Sequence, residues 1–249
     1  MARRFRTIKE EKSMSPEVES TSLGALLLFQ GLDEEQLDRI QGLVRRRRFP
    51  AGATLITTSD MATGVYVIVE GSVKVQVEQP EGRTVILALA GRGQIIGEMG
   101  VVEGVERSAS IVTIEPCVVL WMQGGDFREC LETIPRFALN LIRILSSRLR
   151  LANAHIQALA ALDVDGRVAT QILAFADEYG HESNGTITIH LHVTQGDLAD
   201  LIGASRVRVN QVLSKYRERG LISLPEPHQI HILDRPGLER RCGRAAVLD

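Results

Sequence analysis

A glycine-rich segment in the middle of the chain combines an acid and an arginine at a spacing suited to phosphate chemistry. Glu98 follows Gly97, and Arg107 comes nine residues after the acid, directly before Ser108. Backbone N–H groups and a guanidinium can hold the single charge of a cyclic phosphodiester. The carboxylate can accept a hydrogen bond from a ribose 2′-OH, as acids do in dinucleotide-binding folds. The segment is a candidate nucleotide site, and a hairpin with a surface ion pair is the alternative.

Two short helical segments joined by a glycine form a second functional pattern. Thr194 is a typical N-cap residue and Asp197 completes a capping-box-like start, while Ser205 caps the segment that follows. The first helix is predicted to end at Gly203 and the second at Gly220, since glycine commonly terminates helices. This pattern is a helix-turn-helix, whose second helix enters the DNA major groove.

The outward face of that second helix would contact the bases. Arg206 could pair with guanine O6 and N7, and Gln211 with adenine N6 and N7. A solvated basic helix is the alternative, which the caps, the turn and the flanking strands disfavour. The predicted DNA-binding residues are Gln195, Ser205, Arg206, Val207, Arg208, Asn210 and Gln211. The predicted phosphate contacts are Arg208, Lys215, Arg217 and Arg219.

Composition excludes several other classes of function. The net charge is −2 and 44% of residues are hydrophobic, without an apolar run near the roughly 18–20 residues of a membrane span. The N-terminal stretch is basic and polar, which predicts a cytoplasmic protein that does not bind membranes. Cys117, Cys130 and Cys242 lack the spacing of a disulfide, zinc or iron–sulfur site. His190 and His192 share one face of a predicted strand, where solvation is a better interpretation than metal binding.

No nucleophile–base pair or phosphate-binding loop of a nucleotide hydrolase is visible, so we expect no enzyme activity. Residues 51–119 instead contain short Val/Ile runs separated by glycines, with a hairpin turn at 80–82. Residues 72–77 alternate as a half-buried strand does. Short strands at this spacing predict a closed sandwich or roll.

Residues 137–162 contain neither glycine nor proline, and their apolar residues recur at spacings of 3, 4, 3, 4 and 3. This is the a/d pattern of a coiled coil, and a helix of about 25 residues is nearly 40 Å long. We interpret it as a dimerisation helix; a core helix lying on the roll is the alternative. The predicted dimer seam is Ile142, Leu145, Leu149, Ala152, Ile156 and Leu159.

In combination, these motifs resemble a known family. The Gly-Glu-(x)8-Arg-Ser-Ala pattern at 97–109 resembles the phosphate-binding cassette of cyclic-nucleotide-binding domains. Residues 159–167 and 203–206 resemble the hinge and recognition helix of the cyclic-AMP receptor protein/FNR (CRP/FNR) superfamily of transcription regulators. The resemblance covers about residues 22–235, with three motifs in the expected order.

The resemblance implies a role for each matching residue. Glu98 would hold the ribose 2′-OH, and Gly97, Arg107 and Ser108 would hold the cyclic phosphate. Asn153 would reach the base, next to Ala152, which lacks the hydroxyl found there in cyclic-AMP receptors. The implied ligand-binding residues are Leu87, Gly97, Glu98, Met99, Arg107, Ser108 and Asn153. The implied effector is cyclic AMP; cyclic GMP, a cyclic dinucleotide, haem or no small ligand are the alternatives.

The recognition helix departs from the superfamily's common Ser-Arg-Glu-x-x-x-Arg. Arg206 is kept, but Val207 replaces the acid and Gln211 the second arginine. Valine can contact a thymine methyl but cannot accept a hydrogen bond from cytosine N4. We therefore expect a DNA half-site different from that of the cyclic-AMP receptor protein.

The predicted fold class is α+β, with a jelly-roll-like β-roll, a long dimerisation helix and a winged helix-turn-helix. The predicted domains are a disordered arm (1–21), the cyclic-nucleotide-binding β-roll (22–136), the dimerisation helix (137–163), the DNA-binding domain (164–237) and a tail (238–249). A hinge is expected at 163–166. The expected partners are double-stranded DNA, a second copy of the chain and RNA polymerase, without a metal.

Overall fold

The computed structural model describes residues 23–79, 84–226 and 229–243. The predicted arm (1–21), the hairpin turn predicted at 80–82 and residues 244–249 of the predicted tail lie outside the described residues. Contacts divide the chain after Leu145 into two compact units, which are described in turn. No helix of the described ranges is long and apolar enough to cross a membrane.

The N-terminal unit is built on two four-stranded antiparallel sheets, which confirms the predicted β-roll. One sheet has the strand order β1-β8-β3-β6 and the other β2-β7-β4-β5. Their strands are β1 (Val44–Phe49), β2 (Thr54–Ile56), β3 (Gly64–Glu70), β4 (Val73–Glu78), β5 (Thr84–Ala90), β6 (Ile95–Ile96), β7 (Ser110–Thr113) and β8 (Cys117–Gln123). In β4, Val73 is buried and Val75 packs against the core, while residues 74–77 are all partly buried, so the predicted alternation is weak in this strand.

Short helices close this unit. A 3-10 helix spans Leu27–Phe29, and the others are α1 (Glu34–Leu43), α2 (Glu98–Glu103) and α3 (Gly124–Thr133). α1 begins with a complete capping box between Asp33 and Gln36. Phe127 and Phe29 bury their rings in the core beneath the first sheet. These helices were not predicted individually.

The long helix α4 runs over Pro135–Ala161 and has two different faces. Phe137, Leu141 and Ile144 are buried in the core of the N-terminal unit. The predicted seam lies on the other side, where Leu149 and Ile156 are each 63% exposed. The first part of the helix is therefore a core element of the roll, and the contact boundary falls inside the helix instead of before it.

The C-terminal unit has the element order of a winged helix-turn-helix. Its elements are α5 (Val164–Tyr179), β9 (Gly180–Ser183), β10 (Thr186–Ile189), α6 (Gln195–Ile202), α7 (Arg206–Glu218), β11 (Ile222–Ser223), β12 (Ile230–Ile232) and α8 (Arg235–Arg241). The strands form one antiparallel sheet in the order β11-β12-β10-β9. This arrangement confirms the predicted fold class.

The structure gives the local geometry at two predicted boundaries. Residues 163–166 were expected to be a hinge, but the side chain of Asp163 accepts a hydrogen bond from Gly166 N (2.8 Å) and caps α5. Gly166 is therefore in the first helical turn, and only Leu162 and Asp163 separate α4 from α5. The DNA-binding domain is predicted to end at residue 237, which lies inside α8; in this helix Leu238 is fully buried.

Candidate functional sites

The candidate ligand site begins where β6 turns into α2. Gly97 has φ of 80°, a left-handed conformation that favours glycine. A Cβ here would lie 2.6 Å from Ile56 Cδ1 and 2.8 Å from Arg107 Nη1. The turn places Glu98 at the first residue of α2, where it is only 3% exposed. Glycine at this position thus lets the backbone approach the arginine closely.

Arg107 lies beneath this turn and is 8% exposed. Its Nη1 donates to Gly97 O (2.5 Å) and its Nη2 donates to Gly64 O (2.6 Å). Burial lowers the pKa of Arg107, while Tyr66, Asp60 and Glu98 act in the opposite direction. An arginine keeps its charge in proteins, and three of its five N–H donors remain beyond these two bonds. The guanidinium therefore joins β3 to the turn before α2.

The other predicted ligand residues are accessible. Leu87 and Met99 are each about half exposed, and Ser108 is exposed beside Arg107. Asn153 and Ala152 are exposed on the part of α4 that belongs to the C-terminal unit. Within the N-terminal unit, the structure thus brings Gly97, Glu98 and Arg107 together.

The helix-turn-helix forms with the predicted caps. Thr194 Oγ1 accepts from Asp197 N (2.9 Å), and Ser205 Oγ accepts from Arg208 N (3.2 Å). Gly203 ends α6 with φ of 65°, as expected for a C-cap glycine. The inward face of α7 is buried through Val209, Val212, Leu213 and Tyr216.

The outward face of α7 is exposed over its first two turns. Arg206, Val207, Asn210 and Gln211 are all exposed, and Val207 is the most accessible apolar side chain of the helix. Gln195 Nε2 donates to Asn210 Oδ1 (3.4 Å), which leaves the amide N–H groups of Asn210 available. A cleft of about 420 Å³ lies beside Arg206 and is also lined by Leu213 and Leu224.

An acidic residue that was not predicted to be functional forms ion pairs with two of the side chains predicted to contact phosphates. Asp165, on α5, is 6% exposed. Its Oδ1 accepts from Arg208 Nη2 (3.0 Å), and its Oδ2 accepts from Lys215 Nζ. Arg208 and Lys215, predicted to contact phosphates, are thus engaged within the protein. Arg217 and Arg219 are exposed and, among the described residues, form no ion pair.

Within the described ranges, no group of three or more His, Cys, Asp or Glu side chains could hold a metal ion. β10 ends at Ile189, so His190 and His192 lie beyond the strand that was predicted to carry them. The rings of His181 and His190 lie 6.4 Å apart, and His192 is half-buried.

Comparison with known proteins identifies a family for each of the two regions. Residues 46–134 match the cyclic nucleotide-binding domain family, and residues 166–241 match the Crp-like helix-turn-helix domain family. These two matches contain the Glu98–Arg107 segment and the α6–α7 pair, respectively.

Three relatives illustrate the similarity. The CRP-like cAMP-activated global transcriptional regulator of Mycobacterium tuberculosis is 31% identical over 214 residues, covering 86% of this chain and 95% of that protein. The structure of the c-di-GMP responsive global regulator CLP from Xanthomonas campestris is 25% identical, with a TM-score of 0.63 over 80% of this chain and 99% of that one. FixK2 from Bradyrhizobium japonicum shares the fold, with a TM-score of 0.72 at 21% identity over 82% of this chain and 99% of that one.

A β-roll with a nucleotide cassette and a winged helix-turn-helix define a DNA-binding transcription regulator with a cyclic-nucleotide-binding domain. The chain belongs to the CRP/FNR family of such regulators, as its similarity over most of its length shows. The resemblance stated from the sequence is confirmed.

Proposed function

We propose that the chain is a homodimeric regulator whose DNA binding responds to a cyclic mononucleotide, with cyclic AMP as the first candidate. The nucleotide would bind in the β-roll, and the recognition helices α7 of the two subunits would read a roughly palindromic site. The proposed partners are duplex DNA, a second copy of the chain and RNA polymerase, and the proposed compartment is the cytoplasm.

The hydrogen bond from Arg107 to the carbonyl of Gly97, directly before Glu98, is the observation that carries this proposal. The guanidinium donates to the carbonyl of Gly97, the residue directly before the acid, and the negative charge of Glu98 acts to raise the pKa of Arg107. A cyclic phosphodiester needs a cation and N–H donors, and its ribose needs an acceptor for the 2′-OH. The three N–H groups that Arg107 keeps would hold the phosphate while Glu98 holds the ribose.

The choice of cyclic AMP rests on the relatives and on the presence of both Glu98 and Arg107 in the phosphate-binding cassette. The Mycobacterium tuberculosis relative is a cAMP-activated regulator, which supports the same effector here. The Xanthomonas campestris protein responds to c-di-GMP, so a cyclic dinucleotide is a second candidate. Asn153 offers an amide to adenine or guanine, but Ala152 offers no hydroxyl, which keeps cyclic GMP and a ligand-free regulator as outcomes to test.

The exposed seam of α4 supports a dimer. Leu149 and Ile156 repeat along one face with Ile142, and all three are more than half exposed in the single chain. A second copy would bury this stripe as coiled coils bury their a/d residues. Burial of apolar surface contributes about 25 cal/mol per Å², so a paired helix of this length would be favoured.

Thermodynamic linkage limits the conformational change that the ligand can cause. A nucleotide can shift only an equilibrium between two arrangements that it binds with different affinity. The proposed bistable element is the α4 seam together with the hinge predicted at 163–166, which overlaps the two-residue connection Leu162–Asp163 between α4 and α5. The productive arrangement would place two α7 helices one DNA turn apart, about 34 Å.

The test is calorimetry of the full-length chain with cyclic AMP, cyclic GMP and c-di-GMP, each paired with DNA binding in its presence and absence. We expect saturable binding of cyclic AMP and a change in affinity for a selected duplex. Glu98→Gln should lose nucleotide binding while ligand-free DNA binding persists. Binding of none of the three, with unchanged DNA affinity, would overturn the nucleotide half of the proposal. Steady hydrolysis of a cyclic nucleotide would overturn the regulatory role.

A further inference from the structure

The positive charge of the recognition helix is concentrated along α7 and just after it. Its cations are Arg206, Arg208, Lys215, Arg217 and Arg219. Arg206 and Arg208 stand in the first turn, where no acid is present. Cations are unfavourable at a helix N-terminus because the backbone dipole is positive there. The helix therefore needs negative charge from elsewhere near its start.

Asp165 of α5 supplies that charge and engages two cations from opposite ends of α7. Its side chain is 9% exposed and accepts from Arg208 (3.0 Å) through one oxygen and from Lys215 through the other. A buried carboxylate is costly unless it is paired in this way. The cluster thus offsets one buried negative charge with two cations that remain partly exposed.

Tyr216 fixes the same residue through its backbone. The hydroxyl of Tyr216 donates to the carbonyl of Asp165 (2.6 Å), and Tyr216 is fully buried. Burial raises the pKa of this phenol, so it stays protonated and keeps donating. The position of Asp165 relative to α7 is therefore held by a bond that does not depend on the two cations.

We propose that Asp165 is a positioning residue that limits the positive charge α7 offers to the DNA backbone. By holding Arg208 and Lys215 on the α5 side, it leaves base reading to Arg206, Val207, Asn210 and Gln211. Non-specific affinity grows with the number of phosphates that a protein neutralises, whereas specificity depends on contacts with base edges. Withdrawing two cations lowers affinity for all DNA and leaves a larger share of the binding free energy to contacts with base edges. This role rests on DNA reading by α7, which is part of the proposed function.

The test measures the salt dependence of binding to a mixed-sequence duplex by fluorescence anisotropy, using the full-length chain between 50 and 200 mM salt. Asp165→Asn should free Arg208 and Lys215. The slope of log K against log salt should then become steeper by about 1 to 2, and binding at the lowest salt should be about 5- to 10-fold tighter. Lys215→Met should leave the slope unchanged, because Asp165 already engages that cation. The matched control Arg217→Met removes an unengaged cation and should reduce the slope by about 1.

The outcomes separate this role from the function on which it rests. Equal slope losses for Lys215→Met and Arg217→Met, or an unchanged slope for Asp165→Asn, would overturn the role of Asp165. If Asp165→Asn does not fold, the comparison of Lys215→Met with Arg217→Met decides alone. A wild-type chain that binds no duplex would overturn DNA reading itself. Combining Asp165→Asn with Lys215→Met should restore part of the wild-type slope, which loss of packing alone would not do.

Discussion

Arg208 Nη2 lies 3.0 Å from Asp165 Oδ1, so a side chain predicted to contact phosphate is joined to the helix behind it. The two partners differ in their access to water. The carboxylate is 9% exposed, whereas the side chains of Arg208 and Lys215 are 50% and 39% exposed. Removing the acid leaves cations that water can solvate, but removing the cations leaves a buried negative charge.

This asymmetry predicts which change destabilises the protein more. Asp165→Asn should lower the free energy of unfolding by about 1 kcal/mol, since the freed cations reach solvent. The double variant Arg208→Gln/Lys215→Met should lower it by about 3 kcal/mol, because an unpaired buried carboxylate is costly. Urea denaturation at neutral pH measures both values. The opposite ranking would contradict the assignment of Asp165 as the buried partner.

We expect Arg107 to contribute to the stability of the fold as well as to nucleotide binding. Arg107→Leu removes the donors to Gly97 O and Gly64 O, so we expect loss of nucleotide binding together with about 2 kcal/mol of stability. Calorimetry and denaturation of the same sample measure the two effects. Ser108→Ala is the control: Ser108 is exposed, so nucleotide affinity should fall without a change in stability. A fully stable Arg107→Leu variant would show that the two bonds contribute little.

The seam predicts a sharp contrast between neighbouring positions on α4. Ile156→Lys places a charge in the predicted interface and should shift the protein to monomer, while Gln157→Lys, one residue further, should remain dimeric. Sedimentation velocity at several concentrations measures the state of each. Because both residues are exposed in the single chain, the thermal stability of the monomer should be similar. Equal effects of the two substitutions would place the interface elsewhere.

Base reading by Arg206 predicts a loss confined to one position of the DNA site. Arg206→Ala should weaken binding of a selected duplex by about 1–3 kcal/mol and relax discrimination at a single base pair. Selection from a randomised library, repeated with the variant, reveals the position. A uniform loss over all sequences would instead identify Arg206 as a phosphate contact.

His155 predicts a pH dependence of stability in the C-terminal unit. Burial and the nearby Arg167 lower its pKa from the ordinary value of 6.5, while a hydrogen bond with Gln171 acts in the opposite direction. Between the lowered pKa and 6.5 the unfolded chain binds more protons than the folded one, so stability rises with pH through that window. The melting temperature should therefore fall as pH falls from 7 to 5.

The variant His155→Gln isolates this contribution, because glutamine can still bond to Gln171 but does not titrate. Its melting temperature should fall less than that of the wild type over the same range. Parallel curves for the two proteins would show that other groups cause the pH dependence.

The sequence predicted what depends on local signals. The caps at Thr194 and Ser205, the left-handed Gly203 and the outward face of α7 all follow from residues within a few positions of each other. Gly97 is a further example, because its position directly before an acid indicated the turn into α2. Side-chain preferences at caps and turns act over one helical turn, which a sequence displays directly.

Features that depend on distant partners were missed. β1 contains four consecutive arginines, a pattern unlike a buried strand, yet it pairs with β8, and Arg47 lies 4.5 Å from the ring centre of Trp121. The contacts of Asp165 join residues 43 and 50 positions apart. Gly166 suggested a break, but α5 needs it because a Cβ would lie 3.1 Å from Arg241 O. Each of these required the tertiary fold.

The two hydrogen bonds that Arg107 donates to the backbone also bear on how this cassette could change over evolution. An arginine that donates to both Gly64 O and Gly97 O should remain useful to the fold even when selection on the ligand relaxes. A descendant that came to sense another signal would therefore lose its nucleotide affinity through other positions while the arginine persisted. Restoring a nucleotide response to such a descendant would then need few substitutions, because the most deeply buried cation of the site had never been lost.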